Sequence, residues 1–176
     1  MIATAKLRAG FTLIEIMCVV VVLAIAAAMI VPSVSDNSSL NAAAAARTVM
    51  ADLIYAQNQA INTQQYVYVT FNVTDQTYSL CSSMSPLAYL TDPIAQTNYT
   101  RTFGSGSTPL ASCTLLTANL SGNATTLAYD PLGSPCVYSG TLPPASLATT
   151  ASIAVQCGST QVTINIEPDS GELSVQ

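Results

Sequence analysis

The sequence predicts an α+β protein, in which a long N-terminal helix spans a membrane and then continues into a globular head built on antiparallel β-sheet. Three observations indicate this architecture. Residues 11–31 are almost entirely apolar, residues 39–62 keep apolar side chains at helical spacing, and the apolar period changes to two after Thr63. The expected divisions are therefore a leader over 1–10, a transmembrane helix over 11–31, a second half of the helix over 32–62, and a β-rich head over 63–176.

The N-terminal apolar run contains one costly carboxylate. From Phe11 to Val31 the chain has 21 residues, and Glu15 is the only charged one. A helix of that length is roughly 30 Å long, about one bilayer core. An acid inside it costs at least roughly 2 to 3 kcal/mol, so a function for Glu15 is expected. Lys6 and Arg8 precede the run, which predicts a cytoplasmic N-terminus and a translocated head.

Three hypotheses fit the run, and only one of them explains Glu15. The first hypothesis is a secretory signal that is cleaved after the small residues AIAAA, and the second is an uncleaved membrane anchor. In the third, the chain is cut after Gly10, so that Phe11 carries a free α-amine and Glu15 becomes the fifth residue. In a bundle of such helices, the Glu15 carboxylate of one subunit can neutralise the Phe11 amine of its neighbour and fix the axial stagger.

The stretch RAGFTLIEI resembles the class III signal of type IV pilins and pseudopilins. The resemblance implies a pilin fold, cleavage by a prepilin peptidase between Gly10 and Phe11, and N-methylation of Phe11. It also implies that Glu15 is the assembly residue and that Pro32 occupies a position where many pilins have a proline. The residues that match the signal are Gly10, Phe11, Thr12, Leu13, Ile14 and Glu15.

The second half of the helix is expected to resume near Ser39, after Pro32 kinks or loosens it. Its outward face, with Arg47, Asp52, Gln57 and Gln59, is expected to be free to touch neighbouring subunits, with Arg47 and Asp52 simply solvated. The face expected to pack on the sheet comprises Ala46, Val49, Met50, Leu53, Ile54, Ala60 and Ile61.

The head begins with a predicted β-hairpin, in which strands that start at Tyr66 and Tyr78 flank the turn NVTDQT. Residues 82–110 are expected to be largely loop, 111–117 and 125–129 short strands, and YDPLGSP a turn. Three short strands should close the chain. This order resembles the GspH/FimT branch of the pilin family, both over RTVMADLIYAQNQAINTQQYVYVTF and over the terminal strands.

The chain has five cysteines, and the four that lie beyond the apolar run suggest an oxidising compartment. Cys18 lies in the apolar run, where it is expected to be a small buried hydrophobe. The other four lie in the head, where two disulfides are expected. Sequence does not choose among the three pairings, although proximity along the chain favours Cys81 with Cys113 and Cys136 with Cys157.

Composition argues against several functions. The net charge is −5 with only four Lys and Arg, so no basic patch can follow phosphates, and nucleic-acid binding is not expected. A DNA-binding minor pilin is further disfavoured by the acidic C-terminus, INIEPDSGELSVQ. The sequence has no His, and Asp75, Asp92 and Asp130 lie in turns where capping is the usual role. Neither an enzyme, a metal nor a cofactor is therefore expected.

The resemblance implies a structural role in a filament. The expected protein is a minor pilin or pseudopilin of a type II secretion pseudopilus, inserted in the bacterial inner membrane before assembly. The alternative is a minor pilin of a type IV pilus that serves initiation, twitching, adhesion or DNA uptake. Expected partners are other pilin-like subunits through the N-terminal helix, the prepilin peptidase and an inner-membrane assembly platform.

Overall fold

The computed structural model describes residues 11–34, 37–106, 108–122 and 124–176. These fall into two compact units, one ending at Asn37 and the other spanning Ser38–Gln176. The first unit contains helix α1, Leu13–Val34. None of the helices within the described ranges has both the length and the hydropathy of a membrane span. The predicted leader, residues 1–10, lies outside the described residues.

Helix α1 passes through Pro32 and ends at Val34, so this proline does not terminate the helix. A proline in a helix removes one backbone hydrogen bond and favours a bend. The kink predicted at Pro32 stays a prediction, because the side chains from 28 to 34 lie outside the described part of the chain.

The second unit is the head, in which helix α2, Ser38–Thr63, is followed by short strands. The predicted resumption of helix near Ser39 is confirmed. The strands are β1 (Val67–Asn72), β2 (Thr77–Met84), β3 (Leu87–Tyr89), β4 (Thr100–Thr102), β5 (Cys113–Asn119), β6 (Thr126–Tyr129), β7 (Pro135–Tyr138), β8 (Ala145–Ser146), β9 (Ala151–Cys157), β10 (Thr160–Ile166) and β11 (Leu173–Val175).

The strands form two antiparallel sheets. The first sheet has the order β3-β2-β1-β6-β7-β8, with β4 also paired to β2, and the second has the order β11-β10-β9-β5. The predicted hairpin is confirmed, since β1 pairs with β2 and Asn72 faces Thr77 across its turn. The three predicted C-terminal strands are β9, β10 and β11. The expected loop over 82–110 contains the short strands β3 and β4, and neither β7 nor β8 was expected from the sequence.

Small side chains cover the buried face of α2. Their size lets strands of both sheets approach the helix and share one apolar core with it. The expected face is partly wrong, because Ile54 and Ile61 are exposed, while Ala42, Ala45 and Ala56, which it did not include, are buried. The buried apolar residues of α2 are Ala42, Ala45, Ala46, Val49, Leu53, Ala56 and Ala60.

Asp52 is buried in this interface, which corrects the expectation that it is solvated. Its carboxylate accepts hydrogen bonds from the hydroxyls of Tyr78, at 2.7 Å, and Tyr99, at 2.9 Å. The guanidinium of Arg101 adds an ion pair, with Nε 3.2 Å from Asp52 Oδ2. A buried charge is tolerated when paired and hydrogen-bonded in this way. Burial and the nearby Asp52 charge, in that order, raise the pKa of Tyr78 well above its usual value.

Arg101 also pairs with Asp92, at 2.7 Å. Asp92 caps its own turn by accepting the backbone N–H groups of Ile94 and Ala95, as expected for an Asp-Pro turn. The pKa of Asp92 is lowered from its usual value, mainly by the hydrogen bond from the backbone N–H of Ala95. Burial opposes this shift, whereas the N–H of Ile94 and the charge of Arg101 add to it. The loop that carries Asp92 is thereby tied to α2 through Arg101.

Gln57 was also expected on a face free to touch neighbouring subunits, but it is engaged within the head. Its amide donates to the backbone carbonyls of Gly133, at 2.8 Å, and Ser170, at 3.3 Å. These contacts attach the turn after β6 and the turn before β11 to the same side of α2.

Gln76 joins the two sheets. It lies at the start of β2 with a positive φ of 55°. Its side-chain amide accepts the backbone N–H of Leu115 at 2.8 Å and donates to the carbonyl of the same residue at 2.9 Å. One side chain therefore pairs with β5 in the way a neighbouring strand would.

The cysteine pairing expected from chain proximity is wrong. A disulfide links Cys113 and Cys157, which face each other across the antiparallel pair β5 and β9. Cys81 and Cys136 are buried free thiols on the other sheet, in a row across four strands with Tyr68 and Ala128. Three strand spacings separate the two thiols, about 14 Å, which is too far for a disulfide. Sheet register, not sequence distance, determines the pairing.

Thiol mapping tests this assignment. Alkylation of unfolded but unreduced protein should modify Cys18, Cys81 and Cys136 and leave Cys113 linked to Cys157. In the folded protein Cys81 should react slowly at neutral pH, because burial raises its pKa to about 11. Peptide mapping by mass spectrometry measures both results, and a peptide that joins Cys81 to Cys113 would contradict the structure.

Substitution Arg101→Met tests the ion-pair network. It leaves the carboxylates of Asp52 and Asp92 without their cation and should lower the free energy of unfolding by about 3 kcal/mol at pH 7. The folded-state pKa of Asp92 is depressed. Its stabilisation is therefore present above the unfolded pKa of about 4 and is lost as the pH falls through the folded value.

Urea unfolding at several pH values measures this effect. The difference between Arg101→Met and the parent should shrink as the pH falls below about 4. Arg47→Met is the matched control, because Arg47 is exposed and should change stability little. An equal difference at pH 3 and pH 7 would contradict the network.

Candidate assembly site

The N-terminal site predicted from the sequence lies at the start of α1. Phe11 and Thr12 precede the helix, and Glu15 is in its first turn. Phe11 is 80% exposed and Glu15 is exposed as well. Gly10 lies outside the described residues. The roles of Gly10, Phe11 and Glu15 in cleavage, methylation and charge pairing stay predictions.

Thr12 and Glu15 occupy the positions of a helix capping box. The Thr12 hydroxyl oxygen accepts the backbone N–H of Glu15 at 3.3 Å, and the Thr12 carbonyl accepts the N–H groups of Glu15 and Ile16. In this motif a Ser or Thr is followed three residues later by Glu or Gln. A negative side chain in the first turn also interacts favourably with the helix dipole.

The capping role of Thr12 was missed by the sequence reasoning, although the Thr-x-x-Glu spacing in FTLIEI is its usual signal. The Glu15 carboxylate lies in the first turn of α1, at the positive end of the helix dipole.

Residues 13–27 of α1 present apolar side chains on every side. All side chains from 11 to 27 are exposed, including Val19, Val22 and Leu23 beside Cys18. The Cys18 thiol expected to be buried is thus exposed in the single chain. A helix that is apolar all round requires a covering of lipid or protein. This segment can therefore act as an assembly surface along its whole circumference.

The described head residues do not offer a comparable chemical centre. Within the described ranges, no three side chains of His, Cys, Asp and Glu are grouped so that they could hold a metal ion. Asp130 caps its turn by accepting the backbone N–H groups of Leu132 and Ser134, as predicted. Asp92 and Asp52 are committed to Arg101 and the tyrosines.

Two family models match the chain. The prokaryotic N-terminal methylation motif matches residues 5–31, a range that contains Gly10, Phe11 and Glu15. The model described as type II transport protein GspH matches residues 45–171, well over half of the chain. The chain belongs to the GspH family. This family implies assembly with other pilin-like subunits and processing of the prepilin form.

Two solved structures are similar to this chain, and the first of them has the same fold. The minor pseudopilin EpsH of the Vibrio cholerae type 2 secretion system matches with a TM-score of 0.52 and 13% identity, covering 77% of this chain and 96% of that one. The Pseudomonas aeruginosa type IV minor pilin FimU matches with a TM-score of 0.47 and 16% identity, covering 77% and 87%. Proteins with curated descriptions include no match. The GspH-type head therefore has the pilin-like arrangement of a helix on antiparallel sheets.

Substitution Thr12→Val tests the capping box. It removes the hydroxyl acceptor while keeping the side-chain shape, and should destabilise the first turn of α1 by about 1 kcal/mol. Hydrogen exchange of the full chain in detergent should then show the Glu15 amide exchanging about fivefold faster.

Thr48→Val is the control. Thr48 donates to the carbonyl of Ala44 within α2 and caps nothing, so its loss should leave exchange in α1 unchanged. Equal exchange at Glu15 in the parent and in Thr12→Val would show that the box is not formed.

Proposed function

We propose that this chain is a minor pseudopilin of a type II secretion pseudopilus, a structural subunit that assembles into a helical filament for protein export. The observation that carries the proposal is the exposed, all-round apolar surface of α1 with a carboxylate in its first turn. The match of the head to type II transport protein GspH supports the secretion setting.

Before assembly, the apolar segment 11–31 holds the subunit in the inner membrane, with the N-terminus in the cytoplasm and the head in the periplasm. The disulfide between Cys113 and Cys157 is consistent with a head in an oxidising compartment. The prepilin peptidase cuts between Gly10 and Phe11, and the new amine at Phe11 is N-methylated. Removal of residues 1–10 also removes Lys6 and Arg8, the two cations that favour cytoplasmic retention.

In the filament, Glu15 of this subunit pairs with the Phe11 amine of its neighbour. Both charges lie among apolar side chains, where an unpaired charge is costly and a paired one is tolerated. A helix displaced along its axis leaves both groups unpaired, so the pair selects one stagger. An ATPase-driven assembly platform in the inner membrane supplies the work of extraction from the bilayer.

The proposed role is structural rather than enzymatic. Arg101, Asp52 and Asp92 are engaged with one another, and Asp130 closes a turn. Catalysis needs a base or nucleophile that is free to meet a substrate. The alternative setting, a type IV pilus, has the same cleavage and assembly chemistry, so the export phenotype separates the two settings.

The first test uses two substitutions at Glu15. Glu15→Gln keeps the Thr-x-x-Gln capping pattern but removes the charge, whereas Glu15→Ala removes both. If charge pairing drives assembly, both variants should be cleaved normally and both should be recovered in sheared filaments at least about tenfold less than the parent. Incorporation of Glu15→Gln at the parent level would leave capping as the whole role of Glu15 and would remove the pairing mechanism.

The second test distinguishes the two filament systems. Quantitative proteomics of the surface and supernatant fractions should show loss of soluble exported enzymes in a strain without this gene, with the pilus proteins unchanged. Loss of the major pilin with normal export would reject the secretion setting. Re-expression of the parent gene should restore export, which controls for effects on neighbouring genes.

A further inference from the structure

The outer face of the first sheet, which points away from α2, carries hydroxyl side chains. Directly opposed residues on neighbouring strands have their side chains on the same face, as do residues i and i+2 of one strand. The register therefore places Thr100, Ser79 and Thr70 in one row across β4, β2 and β1, with Thr77 two residues further along β2. These four side chains line a surface groove of about 330 Å³, which we call the hydroxyl groove.

The two ends of the hydroxyl groove differ in chemistry. At the hairpin turn, the Asn72 amide donates to Asp75 Oδ2 at 2.7 Å, and Asn72 Oδ1 accepts the backbone N–H of Asp75 at 3.0 Å. At the other end, Tyr89 lies on β3 opposite Cys81, with Leu87 nearby. Tyr89 is 41% exposed. Four residues of β2 separate the two ends, which are therefore about 13 Å apart.

The polar side chains of the groove can form further hydrogen bonds. The hydroxyls of Ser79 and Thr100 lie 3.0 Å apart, and the Thr70 hydroxyl pairs with that of Thr126 at 3.2 Å. A hydroxyl has one donor and two acceptor positions, and a carboxylate has about four acceptor positions. Each hydroxyl pair, and the carboxylate of Asp75, can therefore still bind the polar groups of a ligand.

The charge of the groove favours an uncharged ligand. Asp75 is the one charged side chain among the described residues that line it. Arg101 of β4 lies on the other face of the sheet, where Asp52 and Asp92 bind it. Phosphate, sulfate and carboxylate groups are recognised mainly by cations and oriented N–H groups. In this groove they would instead meet the negative charge of Asp75.

The backbone around the groove disfavours an extended peptide. A peptide that adds to a sheet needs free N–H and C=O groups at a strand edge. Here β1 lies between β2 and β6, and β2 lies between β1 on one side and β3 with β4 on the other. A peptide on this face would leave its own backbone groups without regular partners. A saccharide has hydroxyls that both donate and accept, and its C–H faces pack on aromatic rings.

We propose that the hydroxyl groove binds a short, neutral oligosaccharide. One sugar ring packs on Tyr89, the following hydroxyls bind Ser79 and Thr77, and Asp75 accepts hydroxyls at the far end. A length of about 13 Å holds about two or three sugar rings, and the volume lies within the usual range for ligand sites. The proposal goes beyond filament assembly and concerns the head alone, so it can fail while the proposed function stands.

A single-tryptophan reporter tests the proposal. The chain has no Trp, so Tyr89→Trp places one indole in the groove and keeps an aromatic ring there. Leu132→Trp is the matched control, because Leu132 is 83% exposed in the turn after β6 and does not line the groove. The full-length chain is titrated with cellotetraose, chitotetraose and maltotetraose. A zwitterionic detergent is used, because a detergent with a sugar head group would compete.

At least one of these three oligosaccharides should shift the emission of the indole at position 89 to the blue in a saturable manner, because a bound sugar ring displaces water from it. The control should not respond, and an anionic heparin tetrasaccharide should bind at least about tenfold more weakly. Equal responses of the two reporters, or no response to any of the three, would overturn the proposal. A response to an extended Ser- and Thr-rich peptide alone would assign the groove to a peptide and reject the saccharide.

Calorimetry on the chain with its natural Tyr89 provides an independent measurement. Tyr89→Ala should weaken binding of the best oligosaccharide by at least about tenfold, whereas Tyr89→Phe should retain most of the affinity. Thr100→Val, which removes one hydroxyl and keeps the side-chain shape, should weaken binding by about fivefold. Leu132→Ala is the control and should bind as the parent does. Parent affinity in a Tyr89→Ala protein that keeps the parent melting temperature would show that the sugar does not occupy this groove.

Discussion

The head is organised by the close contact between α2 and two separate sheets. Ala42, Ala45, Ala56 and Ala60 present little more than backbone to the core, so strands from both sheets can approach the same helix. Larger side chains at these positions would hold the sheets apart and open voids that nothing else in so small a head could fill. Val49 and Leu53 are the larger aliphatic side chains that α2 contributes to the core, whereas Ile54 and Ile61 lie on its exposed side.

Helix α1, unlike α2, buries no described side chain against the rest of the chain. It has almost no polar side chain and, within the described residues, no buried one, so its stability must come from surroundings outside its own chain. The capping box at Thr12 and Glu15 defines where that helix begins, and the carboxylate is left exposed at its end. The proposed charge pair would therefore use a carboxylate that already lies in the first turn of this helix.

Local patterns in the sequence predicted the secondary structure well. The hairpin after α2 and the three terminal strands follow from alternation and turn residues, which are properties of adjacent positions. The errors concern contacts between distant residues. The partner of Cys113 depends on the register of β5 with β9, and Asp52 is buried because Tyr78, Tyr99 and Arg101 converge on it from the first sheet. These three donors are 26 to 49 residues from Asp52 along the chain, so the local sequence around Asp52 does not predict them.

The same limit applies to Gln76, whose pairing with Leu115 has a consequence for solubility. An edge strand exposes unpaired N–H and C=O groups that can recruit a strand from another molecule. The amide of Gln76 occupies both groups of Leu115, in the middle of the outer strand of the second sheet. A single side chain thus blocks one pairing position of this edge strand and makes strand addition at β5 from another molecule less favourable.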